Sequence, residues 1–303
     1  VVIPAHNEEK FIGGVLREIP DYVDTVIVVD DASTDETAER VKNFQDPRVI
    51  LLRNEKNLGV GGATVRGFKK ALEMGAEIVV KVDGDGQMPL ERLHLLLDAI
   101  IEEGYHYAKG NRFLEAHTLK KMPLVRLVGN IILTFLTKLA SGYWHIFDPQ
   151  NGYIAVERKA LQAIPLDRLH RGYFFENDML VHLNIMRFRV KDVPMPAIYG
   201  EEKSGIRLSS VILTFPWLLF KRFFYRIYHK YVLRDFSPIA LFLFLGLFLL
   251  FWGAVFGAYH WIKSVKTGIP ASTGTVMLAV LPLILGFQLV LEAIVLDIQE
   301  TPK

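Results

Sequence analysis

Two aspartates stand two residues apart in Val82-Asp83-Gly84-Asp85-Gly86-Gln87, where the β-branched run 77–82 comes to an end. Residues i and i+2 of a strand project to one side, so Asp83 and Asp85 are expected to aim both carboxylates into one cleft. The two glycines let the backbone turn sharply and come close to a ligand. Hard carboxylate oxygens of this kind suit Mg2+ or Mn2+ bridging a diphosphate, and such a cation stabilises negative charge on a departing diphosphate. An isolated Asp-x-Asp is common by chance and reads equally well as a solvated turn. This one has company. Asp30 and Asp31 end a second run, and Pro4-Ala5-His6-Asn7-Glu8-Glu9 ends a first. Three acidic strand ends on one sheet edge are costly unless a cation or hydrogen-bond donors fill the space between them.

The elements that must position these residues follow from the apolar pattern. Runs at 1–4, 25–30, 49–53 and 77–82 are short and β-branched, as strands buried on both faces are. Helical stretches separate them. Ser33 and Glu36 make a capping-box pattern that predicts a helix over 35–44. Gly75 reads as a helix stop after Met74. Leu93, Leu96, Leu97, Ile100 and Ile101 recur at helical spacing until Gly104. Repeated β-α units predict an α/β fold, a mostly parallel sheet with flanking helices, and ligands then bind beyond the carboxyl ends of the strands. A fifth strand is expected at 107–110. A helix over 123–140 has an uncharged middle too short to span a bilayer, and reads equally as a core helix or one lying on a membrane surface.

The last seventy residues differ in kind. No charged side chain occurs from Phe236 to Ile262 or from Thr267 to Leu291, and a helix needs roughly 20 apolar residues to cross a bilayer. A transmembrane hairpin is expected, with spans at about 237–262 and 270–296. Before it, Trp217, Phe220, Phe223, Phe224, Tyr225 and Tyr228 alternate with cations, a composition suited to amphipathic helices at the headgroups. Lys221, Arg222, Arg226, Lys230 and Arg234 precede the hairpin, against Lys263 and Lys266 in its link, which favours a cytoplasmic location for the large domain. A net charge of +2 points to no nucleic-acid partner. With no cysteine there is no disulfide, thiolate metal site or cysteine nucleophile. The chain opens at Val1-Val2-Ile3, inside an expected strand, so further residues are expected upstream.

The order Pro-Ala-x-Asn-Glu, Asp-Asp-x-Ser-x-Asp, Asn57-x-Gly59, then Asp-x-Asp-x-Gln resembles the family 2 glycosyltransferases of GT-A fold. Within them it resembles the dolichol-phosphate mannose and polyprenyl-phosphate glucose synthases. The resemblance covers residues 1 to about 207 by motif, and the hairpin by architecture. It implies three segments: a catalytic GT-A domain at 1–207, amphipathic juxtamembrane helices at 208–235, and a transmembrane hairpin at 236–298 in the cell membrane. It further implies that Pro4, Ala5, His6, Glu8 and Asp31 bind the nucleotide together with Asp83. Asp83, Asp85 and Gln87 would engage Mg2+ or Mn2+ and the diphosphate. His6 stands where a tyrosine is common in the family, and Ala32 where a glycine is. Gly110-Asn111-Arg112-Phe113 matches the place of an acceptor-facing arginine, and the segment Asp148-Pro149-Gln150-Asn151-Gly152-Tyr153 matches one lining the sugar pocket. The segment from Tyr199 to Ser204 resembles a loop that closes over the site.

The implied reaction is metal-dependent, inverting transfer of a hexose from a nucleotide-diphosphate sugar (GDP-mannose or a UDP-glucose or UDP-GlcNAc type) to a dolichyl or undecaprenyl phosphate. A phosphomonoester is largely ionised near neutral pH, its second pKa being about 6, so a general base adds little. Cations must instead hold the acceptor phosphate. Arg112, Arg126 and Arg207 are the candidates, with Ser204 beside them. Asp85, Arg112, Asp148 and Asp178 form the expected catalytic set. Glu176 and Asp178 open a helix, where they could equally complement its dipole. Partners are the sugar donor, the lipid acceptor and the bilayer, with a homo-oligomer through the transmembrane region a further possibility. Two rivals remain: a processive polysaccharide synthase, against which no Arg-Trp pair occurs, and an inert membrane-tethered scaffold.

Overall fold

Runs rich in valine and isoleucine form β1 (Val2–Ala5), β2 (Val26–Asp30), β3 (Val49–Arg53) and β4 (Ile78–Lys81). The helices between them are α1 (Ile12–Glu18), α2 (Thr37–Lys42) and α3 (Val60–Glu73). After β4 come α4 (Leu93–Ile101), β5 (Tyr107–Asn111), α5 (Leu124–Ser141), β6 (Ile154–Glu157), α6 (Arg158–Ala163), α7 (Phe175–Ile185), β7 (Val190–Pro194) and α8 (Leu208–Tyr228). Two long helices close the chain, α9 (Pro238–Thr267) and α10 (Thr273–Gln299). This computed structural model describes residues 1–113, 124–196 and 208–302. They divide into two compact units, Val1–Phe223 with the last residues of the chain, and Phe224–Thr301.

In the first unit seven strands pair in the order β3-β2-β1-β4-β6-β5-β7. All neighbours are parallel except β6, which runs antiparallel between β4 and β5. The sequence pattern predicts a mostly parallel sheet and misses β6 and β7. The reversal of β6 has a direct consequence for the site. A strand running the other way begins where its neighbours end, so the segment 148–153 leading into β6 lies at the carboxyl edge of β4 and β5.

Both faces of the sheet are covered, and β2 shows it by alternation. Ile27 and Val29 join the cluster containing Phe68, Phe175, Met179, Leu180 and Leu183. Val26 and Val28 join the cluster containing Ile12, Val15, Leu93, Leu96 and Ile100. A smaller cluster packs Ala140 of α5 against Phe174 and against Phe215 and Leu219 of α8. The α5 helix also leaves Ile131, Ile132 and Phe135 exposed, so it is a core helix on one side and an uncovered apolar surface on another.

Two local expectations are corrected. The helix predicted over 35–44 is α2, shorter at both ends, and its capping box does not form. Ser33 Oγ instead accepts the Asn7 N–H at 3.0 Å, tying β2 to the end of β1, while Asp35 Oδ1 accepts the Thr37 N–H at 3.0 Å. The i, i+2 argument for Asp83 and Asp85 also fails, because β4 stops at Lys81 and both aspartates lie in the turn beyond it.

In the second unit α9 and α10 form an antiparallel hairpin. Ser237 caps α9 ahead of Pro238, and Ser272 caps α10. The link is not at 263–268, because α9 continues through Lys263 and Lys266 before Gly268 ends it in the left-handed region at φ 66°. Both helices, 30 and 27 residues, are long and apolar enough to cross a membrane, with mean hydropathy 2.6 and 2.3 over an 18-residue stretch of each. Their backbones approach closely at glycine: a Cβ on Gly246 would lie 2.9 Å from the Gly286 carbonyl oxygen.

Candidate active site

The turn after β4 carries the two aspartates in different electrostatic surroundings. Lys81 is fully buried at the strand end. Its Nζ donates to Asp83 Oδ1 at 2.7 Å, Glu176 Oε1 at 3.1 Å and the Gly152 carbonyl at 3.3 Å. Burial alone would lower the lysine pKa, but the two carboxylates overcome it and hold the ammonium above its ordinary value. Asp83 therefore shares a buried counter-ion with Glu176. Asp85 has no ion pair within 4 Å among the described residues, and its Oδ1 accepts the Gln87 N–H at 3.0 Å. Burial, and then the charge of Asp83, push the Asp85 carboxyl up. Gly86 makes the turn possible at φ 72°. Gly152 is equally constrained: a Cβ there would come within 2.7 Å of Asp83 Oδ2.

A carboxylate with a raised pKa and no cation is a place where positive charge is missing. Among the described residues no three acidic or histidine side chains converge on one point. The expected donors, Asp83, Asp85 and Gln87, are thus two carboxylates and an amide, with no protein cage among the described residues. This fits Mg2+ or Mn2+, which bind through one or two carboxylates and complete their shell with substrate phosphate and water.

The ends of β1 and β2 are level, with Ala5 opposite Asp30. Asp30 is buried, with Arg53 Nε 3.1 Å from Oδ2. Asp31, also buried, accepts from Asn54 Nδ2 at 2.6 Å and the Leu58 N–H at 2.8 Å. His6 Nδ1 lies 2.8 Å from the Asp31 carbonyl oxygen. Pro4 and Ala5 complete the floor, and a Cβ at Gly84 would touch Glu8 Cγ at 3.3 Å and Ala5 Cβ at 3.4 Å. The expected nucleotide residues Pro4, Ala5, His6, Glu8, Asp31 and Asp83 are thus gathered at one edge. Beside them opens a cleft of about 520 Å³ lined by Ala32, Ser33, Arg53, Asn54 and Glu55. Asn7 and Ala32 carry positive φ, 60° and 58°, and such strain in non-glycine residues clusters at functional sites. The glycines opening α3 have a packing role: a Cβ on Gly61 would come within 2.9 Å of Phe175 Cβ, and the Gly62 N–H donates to the Arg171 carbonyl at 3.1 Å.

At the end of β5, Arg112 meets Asp148. Its Nε donates to Oδ2 at 2.8 Å and an Nη to Oδ1 at 3.0 Å, and the Arg112 N–H adds a third bond at 3.2 Å. The Asp148 carboxyl is buried, which would raise its pKa, but Arg112 outweighs this and holds it below the ordinary carboxylate range. Beneath the pair, Lys109 is fully buried and donates to the Asp148 carbonyl. Asp192 Oδ2 accepts from Asn111 Nδ2 at 2.6 Å and the Phe147 N–H at 2.8 Å.

The α7 helix separates two acids that the sequence treats together. Glu176 turns to Lys81. Asp178 turns to α8, where Arg222 Nε is 2.8 Å from Oδ1 and an Nη donates to Oδ2 at 2.8 Å. Asp178 also accepts the His170 N–H at 2.8 Å. It is thus engaged in a bidentate ion pair. Arg126 lies on α5, but its side chain, like Arg207, Ser204 and the whole expected closing loop from Tyr199 to Ser204, lies outside the described residues. Sequence reasoning missed Lys81, Lys109 and Asp192. The available signal was a lysine inside an apolar strand run, Val79-Val80-Lys81-Val82 and Tyr107-Ala108-Lys109, since a buried charge demands partners.

A mixed sheet of this order with acidic strand ends on one edge defines a GT-A fold. The solved structure of glucosyl-3-phosphoglycerate synthase from Mycobacterium tuberculosis, in complex with Mn2+, uridine diphosphate and glucosyl-3-phosphoglycerate, superposes with TM-score 0.55 at 20% identity. It covers 74% of this chain and 78% of its own. Mannosyl-3-phosphoglycerate synthase from Rubrobacter xylanophilus gives TM-score 0.55 at 17% identity, covering 75% and 72%. The chain belongs to glycosyl transferase family 2, whose model matches residues 1–164. Relatives include the UDP-N-acetylglucosamine–dolichyl-phosphate N-acetylglucosaminyltransferase of Methanococcus voltae, 33% identical over 75% of this chain and 93% of that protein. The undecaprenyl-phosphate mannosyltransferase of Micrococcus luteus is 30% identical over 73% of this chain and 94% of its own length.

Proposed function

We propose that this chain transfers a hexose from a nucleotide-diphosphate sugar to a polyprenyl phosphate, as a membrane-bound, metal-dependent glycosyltransferase. The observation that carries the metal and donor assignment is the contrast between the two aspartates: Asp83 makes an ion pair with Lys81, whereas among the described residues Asp85 makes none within 4 Å and its carboxyl is pushed up by burial and by Asp83. The acceptor class rests on the relatives' activities and on two helices of spanning length in the same chain. In this reading residues 1–207 do the chemistry, 208–235 lie at the headgroups and 236–298 cross the membrane, with the catalytic part in the cytoplasm. Self-association through the spanning helices is compatible with it.

Asp85, with Asp83 and Gln87, would hold Mg2+ or Mn2+, whose contribution is to neutralise charge on the leaving diphosphate. Pro4, Ala5, His6, Glu8 and Asp31 seat the nucleotide, and Asp31 arrives already oriented by Asn54 and the Leu58 N–H. Arg112 presents a guanidinium fixed by Asp148 to the acceptor phosphate. The phosphate oxygen attacks the anomeric carbon as the bond to the diphosphate breaks, with inversion. No side chain needs to take a proton, because the nucleophile is already ionised. The side chains' task is to hold two anions together in line. Asp178 has no step in this scheme, being committed to Arg222.

The test is release of nucleoside diphosphate from UDP- and GDP-sugars by the detergent-solubilised protein. Release should require both Mn2+ or Mg2+ and an added prenyl phosphate. Release that ignores the prenyl phosphate would sink the acceptor assignment, and release in excess chelator would sink the metal.

A further inference from the structure

Lys81 and Lys109 occupy one row of the sheet: each is the register partner of Ile154, from opposite sides, in β4 and β5. Residues in register on neighbouring strands share a face, and both ammonium groups are buried there. Lys81 serves the turn that carries Asp83. Lys109 serves the opposite half of the edge. Its Nζ donates to the carbonyl of Asp148, lies 3.4 Å from that of Gly110, and is 3.9 Å from Asp192 Oδ1.

Asp192 completes the grip, because it also accepts the N–H of Phe147. Two consecutive residues of the loop leading into β6, Phe147 and Asp148, are therefore fixed through their backbone by a buried acid and a buried lysine. The side chain of the second is the carboxylate that holds Arg112 in two-point geometry. A lysine costs much free energy to bury. Here its hydrogen bonds go to main-chain carbonyls, so what it fixes is loop position.

We infer that Lys109 is a positioning residue for the acceptor phosphate, acting through the Asp148 backbone on the orientation of Arg112. This rests on the reading above in which Arg112 meets that phosphate. Lys109 itself touches neither substrate. Without it the Asp148 carbonyl loses its buried donor, the loop gains freedom, and Arg112 no longer presents one geometry.

The experiment is a double-mutant cycle on the full chain in detergent, with farnesyl phosphate as acceptor. KM and kcat are followed by nucleotide release, and the affinity for UDP and GDP with Mn2+ by calorimetry. Lys109→Met should raise the farnesyl phosphate KM about tenfold with nucleotide affinity unchanged. In an Arg112→Ala background the same substitution should add almost nothing, since the two act as one unit. Additive effects, or parallel loss of nucleotide affinity, would overturn the inference. If Arg112→Ala alone leaves the acceptor KM unchanged, the role of Arg112 falls and this inference with it. If only Lys109→Met leaves it unchanged, Arg112 keeps its role and Lys109 loses its own. Should Lys109→Met fail to fold, Lys109→Gln takes its place: its shorter, neutral side chain weakens the bond to the Asp148 carbonyl without emptying the site, so a smaller rise in KM is expected, absent in the Arg112→Ala background, and an additive effect overturns the inference.

Discussion

Arg112 and Asp148 form a two-point ion pair at the end of β5, with N–O distances of 2.8 and 3.0 Å, in which the acid is buried and the arginine half exposed. The asymmetry suits an arginine that must reach a ligand. A buried carboxylate fixes the planar guanidinium in one orientation.

Removing that arginine should have two separable effects. Arg112→Ala should raise the acceptor KM with nucleotide affinity retained, and should also cost stability, because the buried Asp148 charge loses its partner. The folded-state pKa of Asp148 is depressed. Its stabilising contribution is therefore complete above the ordinary carboxylate range and disappears as pH falls through the folded pKa. The stability gap between wild type and variant, followed by thermal unfolding from pH 7 to pH 3, should accordingly narrow. A gap independent of pH would show that Asp148 does not depend on Arg112.

Asp85→Asn should abolish transfer while leaving the fold intact. The Asp85 pKa is raised by burial and by Asp83, so its ionised form opposes folding at neutral pH in the absence of a cation. The variant should then melt no lower than wild type without metal, and should lose the upward shift that Mn2+ with nucleotide gives to wild type. Turnover at the wild-type rate would remove Asp85 from the metal site.

Much of this edge is legible in the chain, and the parts that are not share physical causes. The first four strands are read to within a residue or so because burial on both faces leaves continuous β-branched runs. The strand β6 escapes because Ile154-Ala155-Val156 is short, and nothing local signals reversed direction. The twin-aspartate turn is found by its residue types, yet its geometry is misread, because Gly84 and Gly86 end the regular strand before alternation applies. Lys81 and Lys109 look like exposed strand positions until acids far along the chain, Glu176 and Asp192, close over them. Asp178 is drawn to the active centre by its neighbour Glu176, whereas a residue 44 positions away, Arg222, decides where it points. Long-range charge pairing leaves no periodic trace.

Lys81→Met should be among the most damaging single changes to the nucleotide-binding edge. The lysine is buried between Asp83 and Glu176, which raise its pKa against the effect of burial. A raised lysine pKa contributes stability that is fully present below the unfolded value, about 10.4, and is lost only as pH rises through the folded one. The loss should therefore appear undiminished at pH 7. Breaking a buried pair costs about 3–5 kcal/mol, or roughly 10 °C in melting temperature for a unit of this size. Glu176→Gln, which removes only one of two acids, should cost less. A Lys81→Met protein as stable as wild type would contradict the account of Asp83 and Glu176 as held by one buried ammonium.

At Ala32 the prediction is a gain. A left-handed conformation costs a residue with a Cβ about 1–2 kcal/mol, and glycine gives back part of that as unfolded-state entropy. Ala32 has φ 58°. Ala32→Gly should thus stabilise by about 0.5 kcal/mol or more, whereas Ala32→Val should destabilise. Equal melting temperatures for the three proteins would mean that the strain is relieved elsewhere.

The second unit contains its own buried ion pair, and it should behave as such pairs do when one partner is lost. Arg226 Nη atoms lie 2.6 and 2.9 Å from the two Asp297 oxygens, and Tyr231 Oη donates to Asp297 Oδ1 at 2.7 Å. Both charges are buried. Asp297→Ala strands the guanidinium and should cost about 3–5 kcal/mol, seen as early aggregation when the detergent-solubilised protein is heated. Replacing both partners, Arg226→Met with Asp297→Leu, should recover most of the loss, since apolar residues of similar volume remove the stranded charge. Recovery should stop short of wild type, because the Tyr231 hydroxyl then has no acceptor there, at about 1–3 kcal/mol. A double variant no better than Asp297→Ala would mean that α10 is held to the end of α8 by the charges themselves.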